Sequence, residues 1–149
     1  PLDVERVMEK QSGVELDWYF DQWINTTRKL DYGINSILQI NGELQITLER
    51  VDEMLMPIDV EIQHRDGTSA IYHIPLSLMR GAKKAESDLY PFTVLPAWQW
   101  TDHTYTFKVP GSMDALAAVI LDPLERMADV DPTNDRVDMP EGGEGLIKP

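Results

Sequence analysis

Three histidines, His64, His73 and His103, are the first candidates for metal ligation or proton transfer in this chain. A zinc site on a helix needs imidazoles at i and i+4, and no pair here has that spacing. His64 reads as a turn residue, His73 as a strand residue facing away from Tyr72 and Ile74, and His103 as a residue ahead of a strand. A solvated or locally bonded role is expected for each. Asp17 and Asp21 could be taken for the paired carboxylates of a glycosidase. Four apart on a helix, they more simply form its solvent face or a contact with another domain. The run Asp129, Asp131, Asn134, Asp135 suggests calcium but lacks the glycine and closing glutamate of a calcium loop, so a polar chain end is expected. No nucleophile elbow, phosphate loop or dinucleotide fingerprint is present. The chain is therefore expected to hold no catalytic residue, no cofactor and no metal.

The aromatic residues are more informative. Leu16, Tyr19, Phe20 and Trp23 recur at i, i+3, i+4 and i+7, and Trp18 widens that stripe. Such a helix carries more apolar surface than it can hide alone, since each large aromatic ring offers about 150–250 Å². These five residues are the candidate interdomain contact, or a surface for self-association. Trp98 and Trp100 leave two readings open: a strand end packed under a sheet, or an aromatic platform for a glycan.

The elements that must position these residues follow from composition and period. The 149 residues suffice for one ordinary core, with 42% hydrophobic and 26% charged positions. A formal charge of −13 argues against nucleic acid and anionic lipid as partners. No apolar run approaches the ~20 residues of a membrane span, so no membrane association is expected. The absence of cysteine is compatible with export, periplasmic or extracellular, without establishing it. The start at Pro1-Leu2-Asp3, with Val4, Val7 and Met8 in the manner of a last helical turn, suggests a fragment.

Ser12-Gly13-Val14-Glu15 has the spacing of a capping box and predicts a helix from about Gly13. From Tyr32 the period falls to two. Ile34, Ser36 and Leu38, then Asn41-Gly42, then Leu44, Ile46 and Leu48 predict a hairpin. A three-residue bulged loop pairing Leu38 with Leu44 and Ile34 with Leu48 is the preferred register. Further strands are expected at Ile58–Ile62, Ala70–Leu76, Phe92–Val94, Tyr105–Val109 and Leu116–Leu121, with a surface loop over Gly81–Asp88. The fold class is mainly β: an N-terminal helical segment (1–29), an antiparallel β-sandwich of about seven strands (30–135), and a flexible tail (136–149).

The segment Ser12-Gly13-Val14-Glu15-Leu16-Asp17-Trp18-Tyr19-Phe20-Asp21-Gln22-Trp23 resembles the one that follows the catalytic domain in aminopeptidase N-like zinc metallopeptidases. Leu44 to Glu49, Met56-Pro57-Ile58-Asp59-Val60 and the Asp66-Gly67 turn are similar to the small β-sandwich that comes next in that family. Trp98-Gln99-Trp100, Thr104-Tyr105, Ile120-Leu121-Asp122-Pro123 and Arg126 to Asp131 resemble the chain end of a bacterial branch. The resemblance implies a non-catalytic C-terminal module whose partner is the catalytic domain of the same polypeptide. It also implies zinc and peptide hydrolysis in the parent enzyme. The His-Glu-x-x-His helix and the Gly-x-Met-Glu-Asn segment of the family are missing here, so the chain itself is expected to be inactive. The alternative is a free-standing sandwich that binds a glycan or a protein.

Overall fold

The computed structural model describes residues 2–141 and 146–147. Two helices, α1 (Leu2–Ser12) and α2 (Asp17–Asn25), precede nine strands among the described residues. These are β1 (Tyr32–Ile40), β2 (Glu43–Arg50), β3 (Ile58–His64), β4 (Ser69–Ile74) and β5 (Phe92–Val94), then β6 (Thr104–Pro110), β7 (Leu116–Leu121), β8 (Arg136–Asp138) and β9 (Leu146–Ile147). They form two sheets, ordered β6-β2-β1-β9 and β5-β4-β3-β7-β8. The molecule is thus mainly β, a helical segment followed by a two-sheet sandwich. Among the described residues the strand pairings are antiparallel except that of β4 with β5, which the long segment 75–91 returns in parallel.

Alternation along the strands builds the core. Leu44, Ile46 and Leu48 of β2 and Ile58, Val60 and Ile62 of β3 are buried, while the residues between them face outward. Each such side chain contributes roughly 1.5–3 kcal/mol on burial, which fixes the register of both sheets. β6 and β7 belong to different sheets yet follow each other closely, joined by Gly111, Ser112 and a 3₁₀ turn at Met113–Ala115.

The first hairpin differs from the expected register. Its loop is the two-residue Asn41-Gly42, with φ of 54° and 83°, so Ile40 faces Glu43 and Leu38 faces Gln45. Two left-handed residues suit the twist of the flanking strands, and Asn-Gly supplies both. The extra residue is Asn35, where the register shifts between Ile34 and Ser36. That bulge still brings Ile34 opposite Leu48, and it turns Ile37 rather than Leu38 toward Ile46 in the core. The Asn35 carboxamide donates to Glu49 at 3.2 Å.

Ser12-Gly13 closes α1 instead of opening α2. Gly13 has φ 70° and its N–H donates to the Glu9 carbonyl at 2.8 Å, a left-handed C-terminal cap. α1 is a helix of 11 residues rather than a last turn, and α2 starts at Asp17. Glu15, expected to complete a capping box, instead pairs with Arg80 at 3.1 Å. Val14, Trp18 and Gln22, each four residues from the next, face the sandwich. The buried Gln22 carboxamide accepts from the Leu55 N–H at 2.6 Å and donates to the Leu55 carbonyl at 3.1 Å. The helical segment therefore caps the sandwich end where β1 and β3 begin and β2 and β4 finish.

Residues 136–141 are not a tail. β8 pairs with β7, with Val137 opposite Val119, and Met139 is buried. The Arg65 guanidinium donates to the carbonyls of Met139 at 2.8 Å and Pro140 at 2.9 Å. β9 pairs with β1, Ile147 opposite Ser36. The remainder of the expected tail, 142–145 and 148–149, lies outside the described residues. Among the described residues no helix is long and apolar enough to cross a membrane.

Candidate functional site

The five residues of the aromatic stripe divide between two directions. Trp18 turns inward against the core and donates its indole N–H to the Glu15 carbonyl at 2.7 Å. Leu16, Tyr19 and Phe20 are half-buried, and Trp23 is 39% exposed. Tyr19 sits at the centre of the aromatic group, 5.8 Å from Trp18, 5.7 Å from Phe20 and 5.8 Å from Trp23 between ring centroids. Val4, Val7 and Met8 of α1 and Ile24 of α2 are exposed as well, Val7 by 67% and Ile24 by 63%. Sequence reasoning missed the first three as surface because it took them for the end of a helix.

Between the helices, Glu5, Glu9 and Asp17 bring carboxylate oxygens within 4.8 Å of one another. A hydrogen bond with Asp17, together with burial and the neighbouring negative charges, raises the pKa of Glu5. Glu9 is committed to the Leu16 N–H at 2.9 Å. Asp17 and Asp21 are both exposed, and Asp21 accepts from Asn25 at 2.9 Å.

Trp98 and Trp100 do not form a paired platform. Trp98 is 2% exposed, packed 5.5 Å from Tyr32 and 5.3 Å from Tyr105, with its indole N–H on the Asp102 carbonyl. Trp100 is 56% exposed.

The three histidines stay apart. His64, expected in a turn, is instead the last residue of β3, opposite Leu116, and His103 is exposed ahead of β6. His73 is buried on the outer face of the five-stranded sheet, stacked on Phe92 at 5.9 Å. Its Nδ1 meets Asp59 at 2.7 Å, and its Nε2 is buried with no partner. An Asp–His pair orients an imidazole for proton transfer when a nucleophile stands at the other nitrogen. No hydroxyl or thiol does so among the described residues, so the pair serves as an anchor. Asp59 also binds Lys83, Lys83 binds Glu86 at 2.8 Å, and Glu86 binds Arg126 at 2.6 Å. Burial pushes the Asp59 carboxyl up, but the hydrogen bonds from His73 and Lys83 outweigh it and hold it below the usual value. This chain of contacts fastens 83–86 and Arg126 over the sheet.

Beside the chain opens a cleft of about 480 Å³. Ile71, Leu89, Tyr90, Phe92, Pro123 and Leu124 supply its apolar walls, and Asp59, Glu61, Lys83 and Glu86 its polar side. No single segment announced it in the sequence, because its walls come from β3, β4, β5, the 83–92 segment and the turn after β7. No family model, curated protein or solved structure matches the chain.

The acidic stretch is a clamp on β1 rather than a free polar end. Asp129 accepts the Tyr32 N–H at 2.9 Å, and the Asn134 carboxamide donates to Asp31 at 2.9 Å. Gly33 makes room for this contact, since a Cβ there would stand 3.0 Å from the Asn134 side chain. Burial and the charges of Asp129, Asp122, Asp31 and Asp131 push the Asp135 carboxyl up to about 7.

Proposed function

We propose that this chain is a non-catalytic structural module that packs beside a catalytic domain of the same polypeptide, as the resemblance to aminopeptidase N-like zinc peptidases implies. The observation that carries the reading is the set of apolar side chains that the two helices leave exposed. Val4, Val7, Met8, Trp23 and Ile24 stay exposed while the opposite side, through Val14, Trp18 and Gln22, is keyed to the sandwich. Apolar surface of this kind marks an interaction site. Helices so placed act as a spacer between the sandwich and a neighbouring body. Zinc and the residues that cleave peptides belong to that neighbour. In this chain no nucleophile, base and orienting group converge among the described residues.

The test is co-expression of this chain with the region encoded upstream in its reading frame. Val7→Asp combined with Trp23→Ser should weaken their association at least about tenfold, the effect of placing a charge and a truncation in a buried contact, with the chain's own melting unchanged. An upstream region without a zinc peptidase, or an association indifferent to both substitutions, overturns the reading.

A further inference from the structure

We propose that the cleft on the outer face of the five-stranded sheet binds a small amphiphilic amine, its ammonium on Glu61 and its apolar body against Ile71, Phe92 and Leu124. The inference is independent of the docking function, which concerns the helices and not this sheet face.

Size and lining come first. A cleft of about 480 Å³ falls within the roughly 300–1,000 Å³ range of small-molecule sites. Its walls are apolar on several sides, with exposed Tyr90 and Leu124 at the rim. A hydrated, strongly polar ligand would gain little here, whereas an aromatic or branched aliphatic body would replace water along the walls.

Charge then selects the head group. Of the cations near the cleft, Lys83 is shared by Asp59 and Glu86, and Arg126 also binds Glu86. Arg136, across the strands from Glu61, forks onto Asp138 with contacts of 2.6, 3.0 and 3.1 Å. Glu61 accepts a hydrogen bond from the Gln63 carboxamide at 3.0 Å and has no salt-bridge partner among the described residues. Arg136 also feels the Glu61 charge, so the carboxylates of Asp59, Glu61, Glu86 and Asp138 share the cations Lys83, Arg126 and Arg136, beside a wall suited to a hydrophobic group. A carboxylate ligand would meet Glu61 and Glu86 and be repelled. A neutral ligand would leave the Glu61 charge unused, and an ammonium complements it.

The probe is 2-phenylethylammonium, followed by amide chemical shifts and calorimetry on the full chain, with 2-phenylethanol and 3-phenylpropionate as the neutral and anionic counterparts. Saturable shifts are expected at Glu61, Ile71 and Phe92, with the amine preferred to the alcohol by about tenfold and the carboxylate not bound. Glu61→Gln should remove that preference while leaving residual binding of both. Leu124→Ser, which leaves every charge in place, should weaken amine and alcohol alike. Equal affinity for amine and alcohol, an amine preference that survives Glu61→Gln, or shifts mapping outside the cleft would overturn the proposal.

Discussion

Replacing Asp135 by Asn should stabilise the protein, increasingly so as pH rises from about 4 to about 7. In the native state the Asp135 carboxyl is lifted from its ordinary 3.8 to about 7, by burial and by the charges of Asp129, Asp122, Asp31 and Asp131. Its Oδ1 is buried without a hydrogen-bond partner. Because the folded pKa lies above the unfolded one, the folded chain keeps a proton that the unfolded chain has lost. Stability contributed by this group therefore falls as pH rises from about 4 to about 7 and stays low above that. The rise corresponds to about 4 kcal/mol at 1.36 kcal/mol per pH unit; with the residue only partly buried, screening reduces this to about 1–2 kcal/mol. Urea titrations of parent and variant at pH 4.5, 6 and 8 should thus differ least at the lowest pH and most at the highest. At pH 8 the variant should melt about 3–6 °C higher. Comparison between the two chains cancels the opposite trend from Asp59 and Glu86, whose carboxyls are held low. A variant no more stable at pH 8, or one shifted equally at every pH, would show that the acidic clamp stores no such repulsion.

Trp98→Ala should cost about 3–5 kcal/mol in chemical denaturation, and Trp100→Ala less than about 0.5 kcal/mol, since only the first ring is in the core. Gln22→Ala should cost about 2–4 kcal/mol, because it removes two hydrogen bonds and strands the buried backbone groups of Leu55. Gly33→Ala should destabilise by about 1–3 kcal/mol through overpacking against Asn134, and Asn134→Ala in the same chain should recover part of it.

Much of the sandwich is legible from two-residue alternation, because β2, β3 and β6 each bury one face and leave the other wet. The departures arise where a local signal serves two structures. Ser12-Gly13 fits a capping box with Glu15, yet glycine at φ 70° ends a helix better than it begins one. The Asn41-Gly42 turn was evident, but the bulge at Asn35 was not, since only the packing of Ile37 against Ile46 selects it. The helix orientation escaped for a related reason. Nothing in its own segment marks Gln22 as buried; its place is set by the connection between β2 and β3, where the N–H and carbonyl of Leu55 both pair with it. The cleft and its anchor His73 were illegible, because Asp59, Lys83 and Arg126 meet only when the 75–91 segment folds back over the sheet.

The short connection between β6 and β7 imposes an order on synthesis and folding. Each of these strands extends a different sheet, β6 along β2 and β7 along β3, and only five residues separate them. Until they leave the ribosome, the hairpins β1–β2 and β3–β4 present open hydrogen-bonding edges and cannot close on each other. A nascent chain ending before Thr104 therefore leaves β1, β2 and β3 each with an edge whose partner strand is still to come, the state in which edge pairing leads to aggregation. Strand pairings this distant in the chain also place folding among slow β topologies, on a scale of milliseconds to seconds. Arrival of the β6–β7 unit docks both sheets in one step, so intermediates trapped during synthesis should carry intact hairpins and no common core.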